Sequence, residues 1–187
     1  MPTDTSWTDA VITVCNAQTS KNPLEILEAL MALPICPMHG PIHHTLVGSA
    51  LLTAYKNAGG NIALPAAILK LHQRANDVPG GACGMWGACG AAISTGQFLS
   101  IITDSSPLAV ESWGLCNLMT SKALDRLGKI GGPRCCKRDS YASVLAAIDH
   151  VAEHLGIHME KSTPICTRSH INPTCIQQRC PFYRGEA

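Results

Sequence analysis

Ten cysteines, at positions 15, 36, 83, 89, 116, 135, 136, 166, 175 and 180, are far more than a reduced chain of 187 residues needs as small core hydrophobes. Thiolates bind soft metals and attack electrophilic sulfur or carbon, so metal or sulfur chemistry is the first hypothesis. The most specific spacing is Cys166-x8-Cys175-x4-Cys180-Pro181, three soft ligands in a segment that otherwise lacks a reason to fold. Proline after the last cysteine suits the turn around a bulky inorganic core. A fourth ligand is available in Gly131-Gly-Pro-Arg134-Cys135-Cys136-Lys137-Arg138. Adjacent cysteines on extended backbone point to opposite sides, so one of Cys135 and Cys136 faces the tail and the other can face elsewhere. Arg134, Lys137 and Arg138 favour thiolates and offset the charge that several of them bring to a site.

A second group lies earlier in the chain. Cys83 and Cys89 sit in Gly80-Gly-Ala-Cys-Gly84-Met-Trp-Gly-Ala-Cys-Gly90, where glycines let backbone approach a cofactor; Gly84 and Gly90 are assigned to that role with Cys83. Cys89 falls at the start of a predicted helix, whose free N–H groups favour a thiolate at neutral pH. Cys36 is followed by His39, His43 and His44, so Cys36, His39, His43 and Cys89 are the candidate catalytic residues, thiols beside groups that can move protons. Cys36, Cys83, Cys89 and one of the Cys135–Cys136 pair could hold a second cluster. His150, His154 and His158 recur at i, i+4 and i+8 with Glu153 and Glu160 interleaved, which reads as a solvated polar face; Cys15 and Cys116 read as core.

These residues must be positioned by helices. Apolar residues recur at helical spacing over residues 7–18, from Asn22-Pro23 to Pro34, from Gly40-Pro41 to Asn57, over 65–75, over 91–102 after the glycine-rich loop, over 108–130, and over 140–155 behind an Asp139 cap. No alternating pattern competes. The expected fold is all-α, a single domain of about seven helices over residues 1–187, closed by an irregular cysteine-rich segment from 157 to 187 that metal must pin.

Composition narrows the function. Fourteen Lys and Arg against thirteen Asp and Glu leave a net charge of +1, and charged residues make up 14% where about 25% is usual, so a nucleic-acid groove built on bulk charge is excluded. Apolar runs break well before about 18 residues, which excludes a membrane span. The first residues lack the basic and apolar regions of a secretory signal, so a cytoplasmic location is expected.

The segments Cys36–His44, Gly80–Gly90, Gly132–Arg138 and Cys166, Cys175, Cys180-Pro181 resemble a prokaryotic family catalogued as domain of unknown function 5714, over about residues 30–184. The resemblance implies an oxygen-poor setting, since its members occur across anaerobic bacteria and archaea, and a methyltransferase partner, since some are joined to a methyltransferase-like domain. It supplies no activity.

The function expected is that of an iron–sulfur protein, an enzyme of the transferase or lyase kind. One 4Fe-4S cluster, or two, would act with reactive cysteines on a small-molecule or sulfur-donor substrate. Metal ligands are drawn from Cys135, Cys136, Cys166, Cys175 and Cys180, with Arg134 and Arg138 beside the cofactor. Two alternatives are an electron-transfer or cluster-carrier protein and a zinc-stabilised helical binding module.

Overall fold

The computed structural model describes residues 5–185 as an all-α domain with no strand among them. Eight helices follow one another: α1 (Thr5–Ala17), α2 (Pro23–Met31), α3 (Ile42–Asn57), α4 (Leu64–Asn76), α5 (Ala82–Met85), α6 (Gly90–Ile102), α7 (Glu111–Ile130) and α8 (Cys136–Leu155). Seven match the expected set, and the eighth, α5, is a single turn inside the glycine-rich loop. None is long and apolar enough to cross a membrane.

Local chemistry sets the ends. Asn22 Oδ1 accepts from Leu24 N at 3.0 Å and Pro23 occupies the first turn of α2, whose Ile26, Leu27 and Leu30 are buried. Gly156 stops α8 in a left-handed conformation, φ +64°. The expected cap at Asp139 is corrected: α8 begins at Cys136, with Cys135 in extended conformation as its cap residue. Asp139 lies inside the first turn and reaches back, its Oδ2 accepting from Cys135 N at 3.3 Å. The carboxylate still satisfies a free donor at the helix start, but from within the helix.

α3 runs through the centre and is buried nearly all round, against α1, α2, α4, α6 and α8. Phe98, Tyr141, Leu51 and Ile68 fill the core between these helices.

After Gly156 the described residues form two single turns, Ser169–Ile171 and Gln177–Arg179. Packing and hydrogen bonds tie this segment to the domain. Met159, Ile176 and Phe182 are buried, and Phe182 meets Tyr141 edge-on with centroids 5.3 Å apart. Arg168 Nη1 donates to Glu28 Oε2 at 2.8 Å, and the Tyr141 hydroxyl donates to the same carboxylate. Glu160 N donates to Lys21 O at 2.9 Å, tying the tail to the loop before α2.

Candidate functional site

The Cys135–Cys136 pair divides two cavities. Cys135 turns to the tail, where it shares a narrow cavity of about 10 Å³ with Cys166, Cys175 and Cys180. Arg138 and Arg168 supply positive charge to its walls, and Ile176 and Phe182 supply apolar surface. Asn172 is buried there and its Nδ2 donates to Cys135 Sγ at 3.6 Å, while Gln177 N donates to Cys175 Sγ at 3.4 Å. Donors of this kind offset charge on bound thiolates. Burial pushes the Cys135 thiol up to about 11, and the Cys180 thiol is also raised by burial. A thiolate forms in such a place when a cation arrives to balance it.

The spread of the sulfurs bears on which cation. Zinc–sulfur bonds of about 2.3 Å would draw four sulfurs to roughly 3.8 Å from one another. Among the described residues, the only three or more donors gathered closely enough for one ion are His150, Glu153 and His154, and no set of cysteines is. No three sulfurs of the tail quartet lie within 4.8 Å of one another, so they are not drawn together as a single zinc would draw them.

Cys136 turns the other way. It lines a second cavity, of about 30 Å³, with Cys83, Cys89, His43, His44, Arg134 and Asp139. Cys83, Cys89, Arg134 and Asp139 also line an open groove of about 670 Å³ with Leu124 and Leu127 of α7, which Arg138 reaches as well. The second cavity therefore has three sulfurs, two imidazoles and a carboxylate, with a route from solvent.

Cys89 caps α6, as its place in the sequence requires. The expectation of an easily formed thiolate there is corrected: burial, then the Asp139 carboxylate, push its thiol up to about 12. The backbone N–H groups of Ala91 and Ala92 act in the opposite sense and are outweighed. Of the two glycines assigned to a cofactor, Gly90 is required by packing, since a Cβ there would come within 2.2 Å of His44 Nε2. A Cβ at Gly84 would meet open space.

Cys36 lines neither cavity. Its Sγ accepts from Lys137 Nζ at 3.0 Å and lies 3.7 Å from His43 Nε2. Lys137 is 1% exposed and forms no ion pair with a carboxylate among the described residues, so Cys36 sulfur is the acceptor its ammonium has. His43 Nδ1 faces the Gly40 carbonyl at 3.0 Å, which assigns the proton to Nδ1 and leaves the Nε2 lone pair toward Cys36. Burial, then the Lys137 charge, lower the His43 pKa to about 3, so the ring is neutral. His43 also lines the three-cysteine cavity and joins it to Cys36. His39 is placed elsewhere: its Nε2 meets Asn172 Oδ1 at 3.3 Å, one step from Cys135 in the tail cavity. Cys15 is core, and Cys116 packs against it half-buried.

Sequence reasoning missed four contributors: Lys137 as a buried partner of Cys36, His44 and Asp139 in the three-cysteine cavity, and Asn172 beside Cys135. Asn172 alone carried a local signal, an Asn-Pro turn in which Thr174 N donates to Asn172 Oδ1 at 3.1 Å. The other three are brought to their places by tertiary packing.

Residues 11–183 match the model of a family described as a family of unknown function (DUF5714). No curated protein and no solved structure matches the chain.

Proposed function

The chain belongs to this family of unknown function, from which no activity follows, and from the site itself we propose an iron–sulfur enzyme with one cluster-holding cavity and one reactive cavity. Cys135, Cys166, Cys175 and Cys180 hold a 4Fe-4S cluster. The observation that carries this reading is that four cysteines, from the α8 start and three points of the tail, line one cavity while no three of their sulfurs close to within 4.8 Å of one another, as a single zinc would require. Arg138 and Arg168 beside them offset thiolate charge.

Cys83, Cys89 and Cys136 form the reactive cavity. A cluster held there by Cys83, Cys89 and Cys136 would supply Lewis-acid chemistry to a bound small molecule. His44 and Asp139 are the groups there that can take up or release a proton, and Arg134, which lines the groove, attracts an anionic small molecule. Cys36 Sγ, with the Lys137 ammonium donating to it at 3.0 Å, can attack the outer sulfur of a persulfide donor: the new S–S bond forms as the donor's S–S bond breaks, and the donor leaves as a thiolate. The groove favours an enzyme over an electron carrier, which needs a cluster near the surface and no path for a substrate.

Iron, acid-labile sulfide and zinc counts on anaerobically purified protein test the proposal. One loaded cavity gives about four irons per chain and two give about eight, with equal sulfide. Stoichiometric zinc with no iron after anaerobic reconstitution would overturn it.

A further inference from the structure

The C-terminal half of α8 gathers a donor set that the cysteine sites do not use. His150 lies fourteen residues beyond Cys136 on the same helix, about 21 Å along its axis at a rise of about 1.5 Å per residue. Ring nitrogens of His150 and His154 and a carboxylate oxygen of Glu153 all lie within 4.8 Å of one another. The i and i+4 spacing brings both imidazoles to one face, with ring centroids 4.2 Å apart. His158, grouped with them in the sequence, lies exposed beyond Gly156 and takes no part.

A solvated polar face does not describe His150. It is 1% exposed, and neither ring nitrogen has a hydrogen-bond partner among the described residues. The Leu115 carbonyl of α7 faces the ring without reaching hydrogen-bond geometry. Two unsatisfied nitrogens on one buried ring carry a cost that calls for a ligand. His154 and Glu153 stand on the exposed side, so an ion can reach all three from solvent.

We propose that His150, Glu153 and His154 form a mononuclear site for zinc or a similar divalent transition ion, with two imidazoles, one carboxylate and one position left to water. Two histidines with one glutamate are a recurring ligand set for zinc that keeps an open position. Lys122 is the competitor. Its Nζ donates to Glu153 Oε2 at 2.8 Å, so the ion must take the place of that ammonium or bind the other oxygen.

The test is equilibrium dialysis of the full chain against Zn2+, anaerobically and after iron–sulfur reconstitution, with zinc and iron counted together. His154→Ala and Glu153→Gln change exposed residues and leave the core intact. Both should weaken binding at one site per chain by at least about tenfold, with iron content unchanged. Lys122→Ala should tighten it several-fold, an effect that a merely structural histidine pair does not produce. Zinc-edge absorption of the bound ion should report nitrogen and oxygen neighbours only. Zinc binding equal in wild type and His154→Ala, sulfur neighbours, or weaker binding in Lys122→Ala each overturns the site. Since iron is counted in the same sample, failure here stays distinct from failure of the cluster reading.

Discussion

The two cavities on either side of Cys135 and Cys136 differ in what they leave open. The tail cavity has four sulfurs, donors to two of them, and a lining that also includes Arg138, Arg168, Asn172, Ile176 and Phe182, with no histidine or carboxylate in it. The three-cysteine cavity has one sulfur fewer, two imidazoles and a carboxylate in its lining, and a groove to solvent. A complete ligand set holds its metal and shields it, whereas an incomplete one leaves a position for a substrate. One peptide bond divides the two because Cys135 is still extended while Cys136 is already helical, so their side chains leave the backbone in different directions.

The hardest test of that division compares Cys175→Ala with Cys83→Ala. Loss of Cys175 should remove about four irons and release the tail, a destabilisation on the order of 5 kcal/mol. Cys83→Ala should leave the tail cluster and the fold in place and abolish turnover. Iron counting and tryptic cleavage after Gly156, at Lys161 and Arg168, read both variants. Tail protection retained in Cys175→Ala, or lost in Cys83→Ala, would reverse the assignment of roles.

Packing supplies a second hold on the tail, and Phe182 measures it. Phe182→Ala removes a ring that is 4% exposed and stacked edge-on against Tyr141, at a cost of about 3 to 5 kcal/mol. Denaturant melts should show this loss with and without iron. A loss confined to the iron-free protein would mean that the cluster alone orders the segment when bound.

The helices were legible in the sequence because burial on one side of a helix leaves a period in the residues themselves, as in α2 and α8. The tail's anchorage was not. Phe182, Met159 and Ile176 are too few and too irregularly spaced to announce a packed segment, yet each finds a place against the domain. The division of Cys135 from Cys136 followed from backbone geometry, although which one faced the tail depended on where α8 begins. Burial caused the larger misses. Lys137 read as one of three cations near thiols, but packing removes it from water and leaves Cys36 as its partner. Cys89 read as a ready thiolate, but desolvation and Asp139 exceed the influence of the helix start. Such effects depend on what lies around a residue in space.

Acid sharpens the comparison because His43 lines the three-cysteine cavity and not the tail cavity. Its pKa is about 3 in the fold against 6.5 ordinarily, so between these values the unfolded chain binds a proton that the folded chain does not. Stability from this residue is therefore intact above about pH 6.5 and is lost as pH falls toward 3, at up to about 1.4 kcal/mol per pH unit. From His43 alone, denaturant melts at pH 7 and pH 5 should differ by about 2 kcal/mol, with His150, lowered to about 4, adding a similar amount, so His43→Gln should shrink the total difference by about 2 kcal/mol. An unchanged pH dependence in the variant would assign the acid sensitivity elsewhere.

The smallest expected effect separates Cys36 from both cavities. Lys137→Met keeps the long buried side chain and removes the ammonium 3.0 Å from Cys36 Sγ. The ammonium faces Sγ at 3.0 Å, and positive charge beside a sulfur assists its attack on an alkylating agent, so its removal should slow modification of Cys36. Iodoacetamide rates followed by peptide mass spectrometry read Cys36 directly, with Cys116, on the half-buried face of α7, as the control whose rate should not move. Cys36→Ser should leave the iron count at the wild-type value, because Cys36 lines neither cavity. The two results must agree: a slower Cys36 with full iron makes it a reactive thiol outside the ligand sets. A loss of about four irons in Cys36→Ser would instead make it the missing fourth ligand of the three-cysteine cavity, which would then be as closed as the tail cavity.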